Sequence, residues 1–322
     1  MATEARDVTD GAAGGAVDLT VLVPVWNEAE NLPPLLEKLE RDLAPLGLRS
    51  EILVVDDGST DGTPDALRAL RARHPSLRAI SFRRNHGKSA ALSVGFREAR
   101  GERIVTMDGD LQDDSAEIRP LLLKLDEGYD LVSGWKQKRK DPLSKTFPSK
   151  IFNGVTSAMT GVSLHDMNCG LKAYQAEVVR TVRLRGELHR FIPVLAHWSG
   201  FRVAEIPVVH HPRLHGKTKF GTARFVNGFL DLLAVMFLTT SSTRPLHLFG
   251  RMGIGVAFLG GCCTLWAAWP WFLGEGLRLR PALVLGLVLV ILGIQFLSLG
   301  FLGELIAGTR AEEPDYPVRE RF

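Results

Sequence analysis

Residues 19–28 read Leu19-Thr20-Val21-Leu22-Val23-Pro24-Val25-Trp26-Asn27-Glu28. The apolar, β-branched run at 19–25 predicts a strand. Pro24 fixes the exit of the chain, and Glu28 opens the helix that follows. Outward from this point the pattern repeats. Short apolar runs at 51–56, 77–82, 103–107 and 130–133 predict further strands, and segments with helical spacing at 29–46, 63–73, 88–100 and 115–127 fall between them. Strand and helix in alternation predict a parallel sheet covered on both faces. Ligands of such sheets bind at the carboxyl ends of the strands, so the loops after Val25, Val55 and Met107 are where chemistry is expected.

The remaining composition narrows the class. With 322 residues and a formal charge of +3, the chain is long enough for one sizeable domain plus a smaller part, and its charge offers no case for nucleic acid. Three cysteines give neither a disulfide framework nor a zinc pattern. Residues 1–17 lack a basic start and an apolar core, so they read as a flexible tail rather than a secretory signal.

Past residue 209 the character changes. Residues 225–238 carry a broad apolar face, which suits either a membrane-surface helix or a helix of a soluble core. Runs at 252–272 and 281–302 are each long and apolar enough to cross a hydrocarbon core. Trp266, Trp269 and Trp271 gather at the far end of the first run, where interfacial aromatics belong. The link at 274–280 allows only a hairpin, which puts both chain ends on one side, expected to be the cytoplasm. Arg278 and Arg280 in the hairpin partly oppose the positive-inside rule, so this orientation rests on the missing export signal.

The strongest local signal is Met107-Asp108-Gly109-Asp110-Leu111-Gln112 at the end of a predicted strand. Asp108, Asp110 and Gln112 alternate so that three oxygen ligands can converge, a set suited to Mg²⁺ or Mn²⁺ and through it to a diphosphate. Acidic pairs after strands also serve as plain turns. A second acidic loop, Asp56-Asp57-Gly58-Ser59-Thr60-Asp61-Gly62, has a helix cap in Asp61. Capping leaves the adjacent pair Asp56 and Asp57 unexplained. Cys169 reads as a small packed residue, with no activating partner evident.

Taken together, Val-Pro-x-x-Asn-Glu at 23–28, Val-Asp-Asp-Gly-Ser at 55–59, Arg-Asn-x-Gly-Lys-Ser at 84–89 and Asp-x-Asp-x-Gln at 108–112 resemble the inverting family 2 glycosyltransferases. The likeness is to dolichyl-phosphate mannose synthases and bactoprenol glucosyltransferases, and it continues through 164–172, 186–190 and 210–219 to the hairpin. It implies an α/β protein: a GT-A catalytic domain with a Rossmann-like, mostly parallel sheet over 18–220, juxtamembrane amphipathic helices at 221–250, two transmembrane helices at 251–305 and a cytoplasmic tail at 306–322.

The resemblance also assigns residues. Pro24, Trp26, Glu28, Asp57, Asp108 and Lys219 fall where the nucleotide of the donor is held, and Asp108, Asp110 and Gln112 fall on the metal site. Arg213 belongs to a cationic clamp in Arg-x-x-Gly-x-Thr-Lys, and Asp166 falls where a carboxylate orients the sugar or acts as base. Lys136, Arg139 and Lys150 join Arg213 as expected contacts of the acceptor phosphate. The implied partners are a nucleotide-sugar (UDP-glucose or GDP-mannose), a polyprenyl phosphate and the lipid bilayer, and a homo-oligomer is allowed. The opposing readings are a processive polysaccharide synthase, disfavoured by the missing Gln-x-x-Arg-Trp motif, and a non-catalytic membrane scaffold, disfavoured by the intact acidic motif.

Overall fold

A computed structural model describes residues 17–137, 154, 156, 157, 160–182, 184, 188–212, 245–273, 281–308 and 318–321. The chain forms two compact units, one of residues 1–225 with 315–322 and one of residues 226–314. The surface helix expected at 225–238 lies outside the described residues.

In the first unit β1 (Leu19–Val25), β2 (Ser50–Asp56), β3 (Leu77–Phe82) and β4 (Arg103–Thr106) are parallel, with β1 between β2 and β4. Helices α1 (Leu32–Leu43), α2 (Thr63–Arg71), α3 (Lys88–Glu98) and α4 (Ile118–Asp126) follow these four strands in turn. A strand covered on both faces needs apolar residues at odd and even positions alike, and β1 has them. Val21, Val23 and Val25 pack in one cluster with Leu32, Leu35, Leu36 and Leu39 of α1, whereas Leu22 joins Ala91, Val94 and Phe96 of α3 in the other. Proline in the first turn of α1 and of α2 starts each helix where a missing N–H costs nothing. The buried carboxylate of Glu51 is matched by Thr20 Oγ1 at 2.7 Å, Arg78 at 2.8 Å and the Arg100 N–H at 2.9 Å.

The rest of the sheet departs from the parallel expectation. After β5 (Leu131–Trp135), β6 (Lys172–Gln175) runs antiparallel to both β4 and β5, and β7 (Val203–Pro207) lies parallel to β5. Two short helices, α5 (Ala176–Thr181) and α6 (Ile192–Trp198), separate β6 from β7. The eighth strand, β8 (Val318–Arg321), pairs antiparallel with β3, giving the order β7-β5-β6-β4-β1-β2-β3-β8. The stretch expected as a tail at 306–322 thus contributes a strand to the catalytic unit.

The second unit holds α7 (Pro245–Phe272) and α8 (Pro281–Gly308). Their segments Leu246–Pro270 and Pro281–Gly303 are long and apolar enough to cross a membrane. Side chains such as Phe258, Trp266, Leu285 and Ile291 are exposed, which a helix of a soluble core could not tolerate. The two helices pack through glycines: a Cβ on Gly260 would stand 2.7 Å from the Gly286 carbonyl, and one on Gly253 equally close to the Gly293 carbonyl. In lipid, which gives no hydrophobic force between helices, such backbone approach would supply the packing.

Candidate active site

The loops after β1 and β2 hold each other. Asn27, at φ 55°, donates its N–H to Ser59 Oγ at 2.7 Å and accepts from the Thr60 N–H through Oδ1 at 2.8 Å. The Glu28 N–H donates to Thr63 Oγ1 at 3.0 Å, and Asp61 accepts from the N–H groups of Thr63 and Ala29. Asp61 thus ties down the first turn of α2, although Gly62 rather than Asp61 takes the cap position. Asp56 accepts from the Ser59 N–H and hydroxyl and from the Ser81 hydroxyl, so its carboxylate is spent on the scaffold. Gly58 sits at φ +66°, where a Cβ would fall 2.2 Å from the Arg84 backbone carbon.

A cavity of ≈ 320 Å³ stands at these strand ends, with Pro24, Trp26, Glu28, Asp57, Lys88, Asp108, Asp110 and His189 among its lining. Six residues from the ends of three strands, expected from the sequence to act together, are thereby gathered around one space. Trp26 keeps an exposed face, 38 % accessible, at the cavity. Asp57 accepts from the His86 N–H at 2.7 Å and the Gly87 N–H at 2.8 Å, and burial pushes its carboxyl above the usual range. It therefore anchors the start of α3 as well as lining the cavity. Glu28 accepts from Asn31 Nδ2 at 2.6 Å. Lys88, the first residue of α3, forms an ion pair with Asp108.

Asp108 and Asp110 both face this cavity, whereas Gln112 lies outside its lining, with its side-chain amide directed to the His211 carbonyl at 3.4 Å. Leu111, at φ 60°, turns the chain between them. Two carboxylates at one wall fit a hard divalent cation, which is usually held by one or two carboxylates together with substrate phosphates. Among the described residues no three His, Cys, Asp or Glu side chains form a complete cage. The fit is therefore to a cation shared with a diphosphate, with Gln112 displaced from the expected trio.

Behind this loop, Asp113 is buried and sits 2.9 Å from Lys136 Nζ. Burial opposes both charges, yet the pairing holds the Asp113 carboxyl below its ordinary range and the Lys136 ammonium above its own. Lys136, expected to contact an acceptor phosphate, instead neutralises an internal carboxylate. Asp114 binds His211 Nε2 and Lys38 Nζ, each at 2.8 Å. These pairs hold residues 210 and 211 beside the acidic loop, immediately before Arg213. Arg213, Lys219, Arg139 and Lys150 lie outside the described residues.

Asp166 is 2 % exposed, accepts from the Asn168 N–H at 3.1 Å and stands outside the lining of the cavity. Its placement favours holding the 166–168 turn over facing a substrate. Cys169 is buried and its thiol is pushed up to about 12 by burial, as a packed, unreactive residue should be. Next to the first cavity is a smaller one of ≈ 100 Å³, lined in part by Asn168, Lys172, His189 and Arg190, none of which the sequence reading had given a role. Lys172 is 4 % exposed and burial lowers its pKa. The signal that could have found these residues is the Gly87-Lys88-Ser89 start of α3, because Ser89 Oγ meets His189 Nδ1 at 2.9 Å.

The model of the family described as Glycosyl transferase family 2 matches residues 20–183, the stretch that builds both cavities up to β6. The chain belongs to that family. This glycosyltransferase is 39 % identical over 316 residues to the dodecaprenyl-phosphate galacturonate synthase of Rhizobium johnstonii, covering 95 % of this chain and 94 % of that one. It is 35 % identical over 317 residues to the undecaprenyl-phosphate 4-deoxy-4-formamido-L-arabinose transferase of Pseudomonas aeruginosa, covering 95 % and 89 %. Among solved structures, glucosyl-3-phosphoglycerate synthase from Mycobacterium tuberculosis is similar in fold, with TM-score 0.53 and 19 % identity over 68 % of this chain and 79 % of that one. The GT-A architecture of the glycosyltransferase, with its mixed, mostly parallel sheet, follows from this likeness.

Proposed function

We propose that this glycosyltransferase moves a sugar from a nucleotide-sugar to a polyprenyl phosphate at the cytoplasmic face of a membrane. The observation that carries the reading is the gathering of Trp26, Glu28, Asp57, Asp108 and Asp110 around one cavity at the strand ends. Support for the acceptor comes from two relatives named for polyprenyl-phosphate substrates, each matching 95 % of the chain, spans included.

In this reading the nucleoside lies at the Trp26, Glu28 and Asp57 end, where an aromatic face and two carboxylates can hold a base and ribose. Asp108 and Asp110 would hold Mg²⁺ or Mn²⁺, which supplies charge neutralisation to the departing nucleoside diphosphate. Lys88 adds a cation at the same wall. The acceptor is already an anion, so it needs no strong base; orientation and charge neutralisation carry the catalysis. Asp166, which lines neither cavity, is given no proton-transfer role in this reading. Arg213 and Lys219 would grip phosphate, and attack from the face opposite the diphosphate inverts the anomeric centre. The sequence-based donors are UDP-glucose and GDP-mannose.

The test offers radiolabelled nucleotide-sugars, with undecaprenyl phosphate and Mn²⁺, to membranes containing the full chain, and counts the extracted lipid. Label in the lipid that depends on added polyprenyl phosphate is expected. Label confined to free sugar or to polymer would overturn the reading.

A further inference from the structure

The acidic loop continues past Gln112 into Asp113 and Asp114, two carboxylates to which the sequence reading gave no role. Neither lines either cavity. Both turn instead toward residues 209–211. Asp113 and His210 form an antiparallel bridge, the His211 N–H donates to the Gln112 carbonyl at 2.8 Å, and the Gln112 side-chain amide donates to the His211 carbonyl at 3.4 Å. Val209 adds its N–H to Glu117 at 3.2 Å. Side chains then lock what the backbone aligns. His211 Nε2 sits 2.8 Å from Asp114, whose other oxygen holds Lys38 of α1 at 2.8 Å.

Asp113 joins the two sides of this bridge. It is 2 % exposed; one of its oxygens accepts from the Asp108 N–H at 3.3 Å, and the other stands 2.9 Å from Lys136 Nζ and 3.7 Å from His210 Nδ1. One carboxylate therefore touches the backbone of a cavity-lining residue, the residue just past β5 and the segment that leads to Arg213. Tethering a loop needs only the backbone pairing. Burying a charged pair at the same point is costly, and its use is to fix position rather than to add stability. Arg213 follows His211 by two residues, a reach of about 7 Å at most. On the reading that Arg213 grips the acceptor phosphate, its base is mounted on the loop that holds the cation and the donor diphosphate.

We infer that Asp113, Asp114, His210 and His211 are positioning residues for the acceptor: they splint the Arg213 segment to the acidic loop, so that the lipid phosphate is brought to a fixed place against the donor. The inference rests on the polyprenyl-phosphate transfer proposed above. The acidic run is divided accordingly, with Asp108 and Asp110 serving the donor and Asp113 and Asp114 serving the acceptor. In-line attack is sensitive to placement, and a misplacement of about 1 Å costs on the order of a hundredfold.

Asp113→Asn would strand the buried Lys136 ammonium, so the experiment changes the partly exposed His211 and Asp114. Lipid labelling is measured on the full chain in detergent with Mn²⁺, varying undecaprenyl phosphate at a saturating level of the nucleotide-sugar that labels the lipid in the test above. Binding of UDP and of GDP with Mn²⁺ is measured by calorimetry. His211→Ala and Asp114→Asn should each raise KM for undecaprenyl phosphate by about ten- to a hundredfold, the loss expected when a charge-assisted contact to phosphate is misplaced, with nucleotide affinity near wild type. The double variant should be no worse than the poorer single, because the two residues act as one pair. His211→Gln keeps a donor at the reach of Nε2 and should restore most of the acceptor affinity. An unchanged KM for undecaprenyl phosphate in both variants would overturn the inference while leaving transfer intact. So would nucleotide affinity that falls in step with it, the mark of a loop loosened as a whole. Absence of lipid label in wild type would instead end the proposed function, and this inference with it.

Discussion

Asp110 and Asp114 are four residues apart and have opposite tasks. Asp110 lines the cavity at the strand ends and accepts a weak 3.3 Å bond from the Gln112 N–H. Asp110→Asn keeps that acceptor, so thermal stability should stay near wild type while transfer falls about a hundredfold or more. Lipid labelling beside a melting curve checks this, and wild-type turnover in the variant would remove Asp110 from the metal site. Asp114 instead pins the segment before Arg213. Burial works against its charge, but hydrogen bonds from His211 and Lys38 outweigh that and hold its carboxyl at about 2, below its ordinary 3.8. A depressed carboxylate stabilises the fold above the unfolded value and loses that contribution as pH falls toward the folded one. Melting temperature should therefore drop between about pH 4 and pH 2, and Asp114→Asn should flatten that limb. Of the two acidic loops, the sequence made the motif legible but not the division of labour. Asp56 and Asp57 sit side by side, and only the fold shows that one serves the Ser59 turn while the other faces the cavity. In the same loop Gly58 takes positive φ and Gly62 does not.

At the scale of elements, the first four strands were plain because burial on both faces forces long apolar runs such as Leu19–Val25. β6, β7 and β8 were not. Lys-Ala-Tyr-Gln, Val-Ala-Glu-Ile-Pro and Val-Arg-Glu-Arg are short and carry charge, and nothing local marks their partners. The hairpin of α7 and α8 was legible from its length, but its seam depends on which glycines face each other. A Cβ on Gly286 would stand 2.4 Å from Thr264 Oγ1, so Gly286→Leu should force the helices apart. The expected outcome is a lower melting temperature in detergent and reduced yield from membranes. An unchanged melting curve would mean that the seam contributes little. The same change at Gly261, where nothing lies within 4 Å of an added Cβ, should be harmless.

For the whole molecule, β3 and β8 share one sheet, so the segments before α7 and after α8 belong to a single unit. Two crossings satisfy this, and one does not. A cysteine introduced at Glu275 should react with an impermeant reagent applied outside the cell, and one introduced at Glu312 should not. The reverse labelling would place the cavity away from cytoplasmic nucleotide-sugars and end the proposed function. The basic clamp around Arg213 stays a matter of sequence, because it lies outside the described residues.

The pairing of β3 with β8 also sets an order of events during synthesis. β3 is finished once Phe82 has emerged, but its partner is translated roughly 240 residues later, about 10–50 s at the usual rate of about 5–20 residues per second. Throughout that interval the β3 edge has its N–H and C=O groups unpaired, a template for any passing strand. Both apolar helices are made before the last strand can arrive. The sheet is thus completed only after they have been translated, which leaves the unfinished chain with an open and aggregation-prone edge.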